Sequence, residues 1–334
     1  MVKIGNIEVG EFPLFLSPMD DVTDRPFRQL CKRFGADVLI SEFIASEALI
    51  RDAEKSFRKM LFDEVERPIG IQVFGSEEES LLKCVDVVVE SHPDFIDINW
   101  GCPVRKVAGK GAGSGMLRDI PKLLKITSAL VKRSPLPVTV KTRLGYDDTD
   151  KPIVTLVEQL QDIGVAAVSI HGRTKTQMYR GAADWTLIAE AKANPRIHIP
   201  VFGNGDITTP RQAVEARRRY GVDGILIGRA AIGNPWIFSS VKAALNTCDE
   251  NYEPPRISVS DRVAVCREHL LSAVEFKGER QAIFEMRKHY GGYFYGLHSF
   301  KQFRIPLVTL TTLPELLTLL DTIGIYYGDK DVCC

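Results

Sequence analysis

Within the run Phe95-Ile96-Asp97-Ile98-Asn99-Trp100-Gly101-Cys102-Pro103, an alternating apolar segment ends on an amide, a glycine and a thiol. Pro103 disfavours a helical conformation for Cys102, so the spacing reads as a strand whose end presents the thiol. The glycine-rich run Gly109-Lys110-Gly111-Ala112-Gly113-Ser114-Gly115 follows. A thiol of ordinary acidity, pKa about 8.5, is largely protonated at neutral pH and can give a proton to a developing carbanion. Cys102 is therefore a candidate acid as well as a candidate nucleophile. A lone thiol is more often a small buried apolar residue, and the rest of the chain has to decide.

Other segments end in the same way. Val138-Thr139-Val140-Lys141-Thr142-Arg143 carries a lysine deep in an apolar strand, where an unpaired ammonium is seldom found. Ser169-Ile170-His171-Gly172-Arg173-Thr174 presents an imidazole and Ile71-Gln72-Val73 an amide. Each alone is more often a satisfied core group. Together with Asn99 they supply donors around one cavity, which suits a planar, acceptor-rich ring such as a flavin. Gly203-Asn204-Gly205-Asp206 and Gly228-Arg229-Ala230 allow close backbone approach, and Arg229 adds a forked charge, so both suit a phosphate. There is no Walker loop, and no GxGxxG opens a helix after a strand. FMN, with one ring system and one phosphate, fits both halves.

These residues need a scaffold that brings strand ends together. Eight β-rich segments recur, at Leu14 to Met19, Val38 to Phe43, Pro68 to Gly75, Phe95 to Gly101, Val138 to Leu144, Ala167 to Thr174, Pro200 to Asp206 and Gly224 to Ala230. Stretches with helical spacing separate them, such as Leu156, Val157, Leu160 and Ile163. The alternation predicts an α/β chain closed as a (β/α)8 TIM barrel, with a doubly wound open sheet as the runner-up. A barrel gathers Met19, Glu42, Gln72, Asn99, Lys141, His171, Asn204 and Arg229 at one mouth, and phosphates in barrels often sit after the last two strands. The expected division is a catalytic barrel over 1–245, a linker over 246–260 containing Pro254-Pro255, and a small all-helical domain over 261–334.

Composition narrows the class. At 334 residues, 45% apolar and 26% charged, the chain has material for a large core. No apolar run reaches the roughly 20 residues of a membrane span, and the amino terminus lacks a signal core, so a cytoplasmic protein without a membrane partner is expected. Seven cysteines form no CxxC pair or zinc spacing, which predicts reduced thiols and no metal site, with Cys333 and Cys334 in an exposed tail. Lys plus Arg equals Asp plus Glu at 43 each, so any nucleic-acid contact must come from local patches. One patch is Arg105, Lys106 and Lys110 beside Cys102. Another lies between Lys277 and Arg304, where Arg287, Lys288, Lys301 and Arg304 are interleaved with Tyr290, Tyr293, Phe294, Tyr295, Phe300 and Phe303. Most of these aromatics read as helical core, while the cations are phosphate candidates.

Taken in order, Ser17-Pro18-Met19 with Val22-Thr23-Asp24-Arg25-Pro26-Phe27-Arg28, then Gln72-Val73-Phe74-Gly75, Asn99-Trp100-Gly101-Cys102-Pro103, His171-Gly172-Arg173-Thr174, Gly203-Asn204-Gly205-Asp206 and Ile227-Gly228-Arg229-Ala230 resemble the tRNA-dihydrouridine synthases, closest to their B-type bacterial branch. The resemblance runs through essentially the whole chain. It implies an FMN barrel and a helical tRNA-binding domain. NADPH (or NADH) reduces the flavin, and hydride then passes to C6 of a D-loop uridine while the cysteine protonates C5. By matching motif it assigns Cys102 as proton donor and Pro18, Met19, Gln72, Lys141, His171, Asn204, Gly205, Asp206, Gly228 and Arg229 to the cofactor, with Asn99 and the neighbouring Asp20 as further cofactor candidates. Arg105, Lys106, Lys110, Arg173, Arg287, Lys288, Lys301 and Arg304 are the tRNA candidates. A monomer that binds tRNA but not DNA is expected.

Two departures stand out. Asp20-Asp21 replace the Ala-Gly usual after Pro-Met, and a net charge of zero predicts tRNA binding that depends on few cations and strongly on salt. Two competing functions remain: an FMN-dependent reductase or dehydrogenase of a free pyrimidine or other small molecule, and a tRNA-binding protein that has lost catalysis. The first leaves the helical domain idle; the second predicts a colourless protein.

Overall fold

The structure, a computed structural model, describes residues 1–51, 54–247, 249 and 252–328. Its strands are β1 (Val2–Ile4), β2 (Ile7–Gly10), β3 (Leu14–Leu16), β4 (Val38–Ile40), β5 (Ile44–Ala45), β6 (Ile69–Phe74), β7 (Phe95–Asn99), β8 (Val138–Arg143), β9 (Ala167–His171), β10 (Val201–Asn204) and β11 (Gly224–Ile227). β3, β4 and β6 to β11 pair in parallel with their neighbours, and β11 returns to β3, so the ring of eight is closed and the open sheet is excluded. β5 resumes the path of β4 after a break and pairs with β6 through Ile44 and Val73. All eight expected strands are present, each shorter than its apolar segment because pairing stops where the chain turns outward to form the mouth.

The strands are buried on both faces, which explains their near-continuous apolar sequences. Phe15, Val38, Ile40, Phe95, Ala167, Phe202 and Leu226 form an interior cluster joined by Ile4 and Val9 of the antiparallel hairpin β1–β2. Gly5, at φ 59 in the two-residue turn, abuts Pro137 just before β8, so the hairpin closes the amino-terminal end of the barrel. The opposite end is thereby left for a site. Helix starts are locally encoded. Asp24 caps Arg25–Arg33, with Pro26 in the first turn, and Thr209 forms a capping box with Gln212 at Pro210–Tyr220.

After the helix Ile237–Thr247, the described residues 249 and 252–258 have no regular structure, while 248, 250 and 251 of the expected linker lie outside the described residues. Among the described residues four helices follow, Val259–Lys277, Glu279–Tyr293, Lys301–Thr309 and Leu313–Tyr327. Their buried residues, including Val263, Cys266, Leu270, Ile283, Met286 and Tyr293, belong to the same apolar cluster as Phe27, Leu30 and Trp236 of the barrel. Arg33 pairs with Glu268 at 2.6 Å, and buried Lys277 bridges Asp24 of the barrel and Glu285 of the next helix. Cys31, Cys84, Cys102 and Cys266 are free thiols, and Cys248, Cys333 and Cys334 lie outside the described residues. Among the described residues no helix is long and apolar enough to cross a membrane.

Candidate active site

A cavity of about 1180 Å³ opens at the carboxyl ends of the barrel strands. Its wall includes Ser17, Pro18, Met19 and Asp20 after β3, Asn99 at the end of β7 and Cys102 after it, Lys141 and Arg143 of β8, and His171 of β9. Asn204 at the end of β10, Gly205 and Asp206 after it, and Gly228 and Arg229 after β11 also line it. Closure of the barrel thus gathers residues separated by more than two hundred positions in the chain.

The thiol is held by its own loop. Asn99 Oδ1 accepts the N–H groups of Gly101 at 3.0 Å and Cys102 at 2.8 Å, and the Cys102 carbonyl accepts Ser114 Oγ at 2.7 Å. Burial pushes the Cys102 thiol above its ordinary pKa; the Val104 N–H and the charges of Arg143 and Lys141 only partly oppose this, and Asp20 adds to it. The protonated thiol is the resting form. That favours an acid over a nucleophile.

Lys141 Nζ donates to Asn204 Oδ1 at 3.1 Å, which uses one of its three N–H groups. Burial, reinforced by Arg143, lowers its pKa to about 8. His171 is neutral, because burial and the surrounding Arg143, Lys141 and Arg173 disfavour the imidazolium. Its Nε2 lies 3.3 Å from Arg173 Nη1. A guanidinium only donates, so Nε2 accepts and the imidazole proton sits on Nδ1. Within β10, Gly203 leaves room for Trp185, whose ring would stand 2.0 Å from a Cβ there, and Trp185 Nε1 donates to the Gly205 carbonyl at 3.1 Å. Gly205 itself takes φ 128, which side-chain-bearing residues rarely adopt. Gly228 faces Ser17 and Met19, and a Cβ there would stand 3.5 Å from Ser17 Cβ.

Several residues sit differently from the sequence expectation. Arg173 is buried and donates to the Arg180 and Gly181 carbonyls and to both oxygens of Asp206, at 2.9 and 2.6 Å, so it is corrected from a tRNA contact to an internal brace. Asp206 is that brace's partner. Burial raises its pKa, but Arg173, the Ala183 N–H and Arg229 outweigh burial and hold the carboxyl below its usual range. Gln72 is fully buried outside the cavity wall, its amide engaged by Asp97 and Asn99. Asp20 lines the cavity and pairs with Lys59, which also lies 3.4 Å from Glu42. Asp21 takes φ 56, a left-handed position that suits the usual glycine. The carboxylates of Asp20, Asp21 and Glu42 come within 4.8 Å of one another, with Lys59 and Lys55 set against them.

Sequence reasoning left Arg143 and Tyr179 without a role. Arg143 donates to the carbonyls of Gly101 at 2.7 Å and of Thr174 and Met178 at 3.0 Å, bracing the Cys102 loop. Tyr179 is exposed on the rim with the Arg229 guanidinium 4.8 Å from its ring centroid. Arg105, Lys106 and Lys110 are exposed, and Lys106 reaches the cavity wall. Lys288 Nζ donates to the Asp21 carbonyl at 2.5 Å, which ties the helical region to the mouth. Lys301 and Arg304 are exposed on the third of the last four helices, and the Arg287 guanidinium lies over exposed Phe284.

Residues 15–323 match the family described as Dihydrouridine synthase (Dus). The chain belongs to the dihydrouridine synthase family. Relatives include a probable tRNA-dihydrouridine synthase of Rickettsia conorii, 38% identical over 91% of this chain and 90% of that protein. The tRNA-dihydrouridine synthase B of Pseudomonas aeruginosa is 38% identical over 87% of this chain and 86% of its own. The B-type resemblance is matched by such relatives. Among solved structures, histamine dehydrogenase from Rhizobium sp. 4-9 superposes with a TM-score of 0.55 at 11% identity, over 81% of this chain and 50% of that one. A morphinone reductase variant in complex with tetrahydroNAD gives 0.51 at 11% identity, over 70% and 87%. These two share the barrel fold with this dihydrouridine synthase.

Proposed function

We propose that this dihydrouridine synthase reduces the C5–C6 bond of a uridine in the tRNA D-loop, in the cytoplasm, with FMN as cofactor and NADPH as reductant. The observation that carries the reading is a protonated thiol on the wall of a cavity lined by Lys141, neutral His171 and two glycine turns. The donor set fits FMN. Lys141 and the Nδ1–H of His171 offer hydrogen bonds to ring acceptors, and Met19 offers an apolar face. Gly205, Gly228 and Arg229 suit a phosphate. When bound and reduced, FMN supplies hydride to uracil C6. Cys102 gives its proton to C5, and Arg143 keeps the loop beneath it from shifting. A uracil edge cannot be reached inside a base stack, so the uridine has to be turned out into the cavity.

Residues 1–245 carry the chemistry in this reading, and 261–334 carry the grip on tRNA. Lys106 and Lys288 stand nearest the mouth, Arg105 and Lys110 on the same loop, and Arg287, Lys301 and Arg304 farther along the helices. Asn99 and Asp206 line the cavity and face the cofactor, while Gln72 acts from behind, through Asn99. Incubation with NADPH and either unmodified tRNA or free uridine, read by nucleoside mass spectrometry, tests this. Dihydrouridine in tRNA alone supports it. Turnover of free uridine with unchanged tRNA overturns it in favour of a small-molecule reductase.

Lys141 adds a pH signature. Its ammonium is charged below a pKa of about 8 and neutral above, so its attraction for an anionic cofactor fades as pH rises through that value. Affinity of the apoprotein for FMN, followed by flavin fluorescence quenching, is expected to weaken about tenfold between pH 6.5 and 9.5, the worth of one charge-assisted hydrogen bond. Lys141→Met is expected to flatten that dependence.

A further inference from the structure

We propose that buried Asp97 is a positioning residue whose hydrogen-bonded chain through Gln72 and Asn99 fixes the main chain that carries Cys102. The inference rests on the reading of Cys102 as the proton donor. Asp97 lies in the middle of β7, is 1% exposed and does not line the cavity. A carboxylate at such a place is costly, and a valine or isoleucine would pack the strand equally well. Its oxygens accept Thr139 Oγ1 at 2.5 Å and Gln72 Nε2 at 2.6 Å.

Burial raises the Asp97 pKa, opposed by the donors Thr139 and Gln72 and by the charge of Lys141; because each of its oxygens already accepts one of those donors, the Gln72 amide is set with its nitrogen toward Asp97. That leaves Gln72 Oε1 facing Asn99, whose Nδ2 donates to it at 2.8 Å. Asn99 must then turn Oδ1 the other way, where it accepts the N–H groups of Gly101 and Cys102. Without a fixed Gln72, the Asn99 amide can turn its NH2 toward those two N–H groups, and the loop loses both bonds. Polarity set at Asp97 is thus transmitted through two neutral amides to the backbone beneath the thiol. Each member is at least nine-tenths buried, so water does not readily substitute for a missing link.

The chain can be cut and then rebuilt with the charge moved. Gln72→Leu removes the central link, and Gln72→Glu sets two carboxylates against each other. The double variant Asp97→Asn with Gln72→Glu restores the order: the amide introduced at position 97 can donate to the carboxylate introduced at position 72, which still accepts from Asn99. With reduced, FMN-loaded protein at pH 7.5, single-turnover dihydrouridine formation in tRNA is expected to slow at least about tenfold in both single variants. The double variant is expected to return to within about threefold of the unaltered protein. A direct contact between the Gln72 amide and the flavin would not be restored by a glutamate.

The same four proteins are treated with iodoacetamide without tRNA, and Cys102 alkylation is followed by peptide mass spectrometry. The single variants are expected to alkylate about fivefold faster as the loop loosens, and the double variant at the original rate. This readout survives a failure of the proposed function: an unaltered protein that makes no dihydrouridine overturns the synthase reading, while alkylation still decides the positioning. Unchanged alkylation in Gln72→Leu, or a folded double variant that behaves like Gln72→Glu in both assays, overturns the inference.

Discussion

Replacement of Cys102 by alanine is expected to leave a yellow protein that NADPH still bleaches, while dihydrouridine formation falls by about 10² to 10⁴, the usual contribution of a positioned general acid. The magnitude follows from the site. Proton transfer to C5 needs a donor that is protonated at rest and held in place. Burial keeps the thiol in that form, and Asn99, Ser114 and Arg143 hold its loop. Serine offers a far weaker acid in the same place, so Cys102→Ser is expected to resemble the alanine variant. Rates are read by nucleoside mass spectrometry under single-turnover conditions. Product formed by Cys102→Ala at the original rate would remove the thiol from the mechanism.

Glu66→Ala is expected to produce the largest loss of stability, about 3–5 kcal/mol, the cost of leaving a buried charge without its partner. Arg28 and Glu66 are 1% and 0% exposed and meet at 2.6 Å. The remaining Arg28 donors reach the Thr23 carbonyl at 3.0 Å and the Leu61 carbonyl at 2.8 Å. Thr23 in turn exchanges hydrogen bonds with the backbone of Met19, so the ion pair lies behind the cavity wall. Urea unfolding measures the loss, and weaker flavin retention is expected to accompany it. Arg28→Met combined with Glu66→Leu removes both charges and is expected to recover most of the stability. A double variant no more stable than Glu66→Ala would show that the paired charges themselves are needed.

The barrel was legible because parallel strands covered on both faces write themselves as apolar runs, and the polar residues that end those runs mark the mouth. The hairpin β1–β2 was less visible. Its signal, Gly5-Asn6 between Ile4 and Ile7, spans too few residues to stand out before the barrel floor that it closes is known. Arg173 shows a different limit. Its sequence neighbours suggest an outward cation, yet Asp206, thirty-three positions away, turns it inward once β9 and β10 pair. Tyr179 and Lys59 carry no local mark either, since ring closure alone brings them to the cavity. The Asp97 chain is likewise invisible in one dimension, because each link crosses between strands or leaves the end of one.

The apolar cluster shared by the barrel and the last four helices bears on how the molecule measures its substrate. Two bodies joined only by a tether would sample many separations, and a flexible ruler reads no fixed distance. Here Tyr293 packs edge-on against Trp236, and Phe27 lies against His269 and His289. In the proposed function, where these helices grip tRNA, the span from grip to thiol is therefore as stiff as a domain interior. Selection among neighbouring nucleotides then becomes a matter of length and angle set at folding, and moving it to another nucleotide would require repacking that seam, not lengthening the connection.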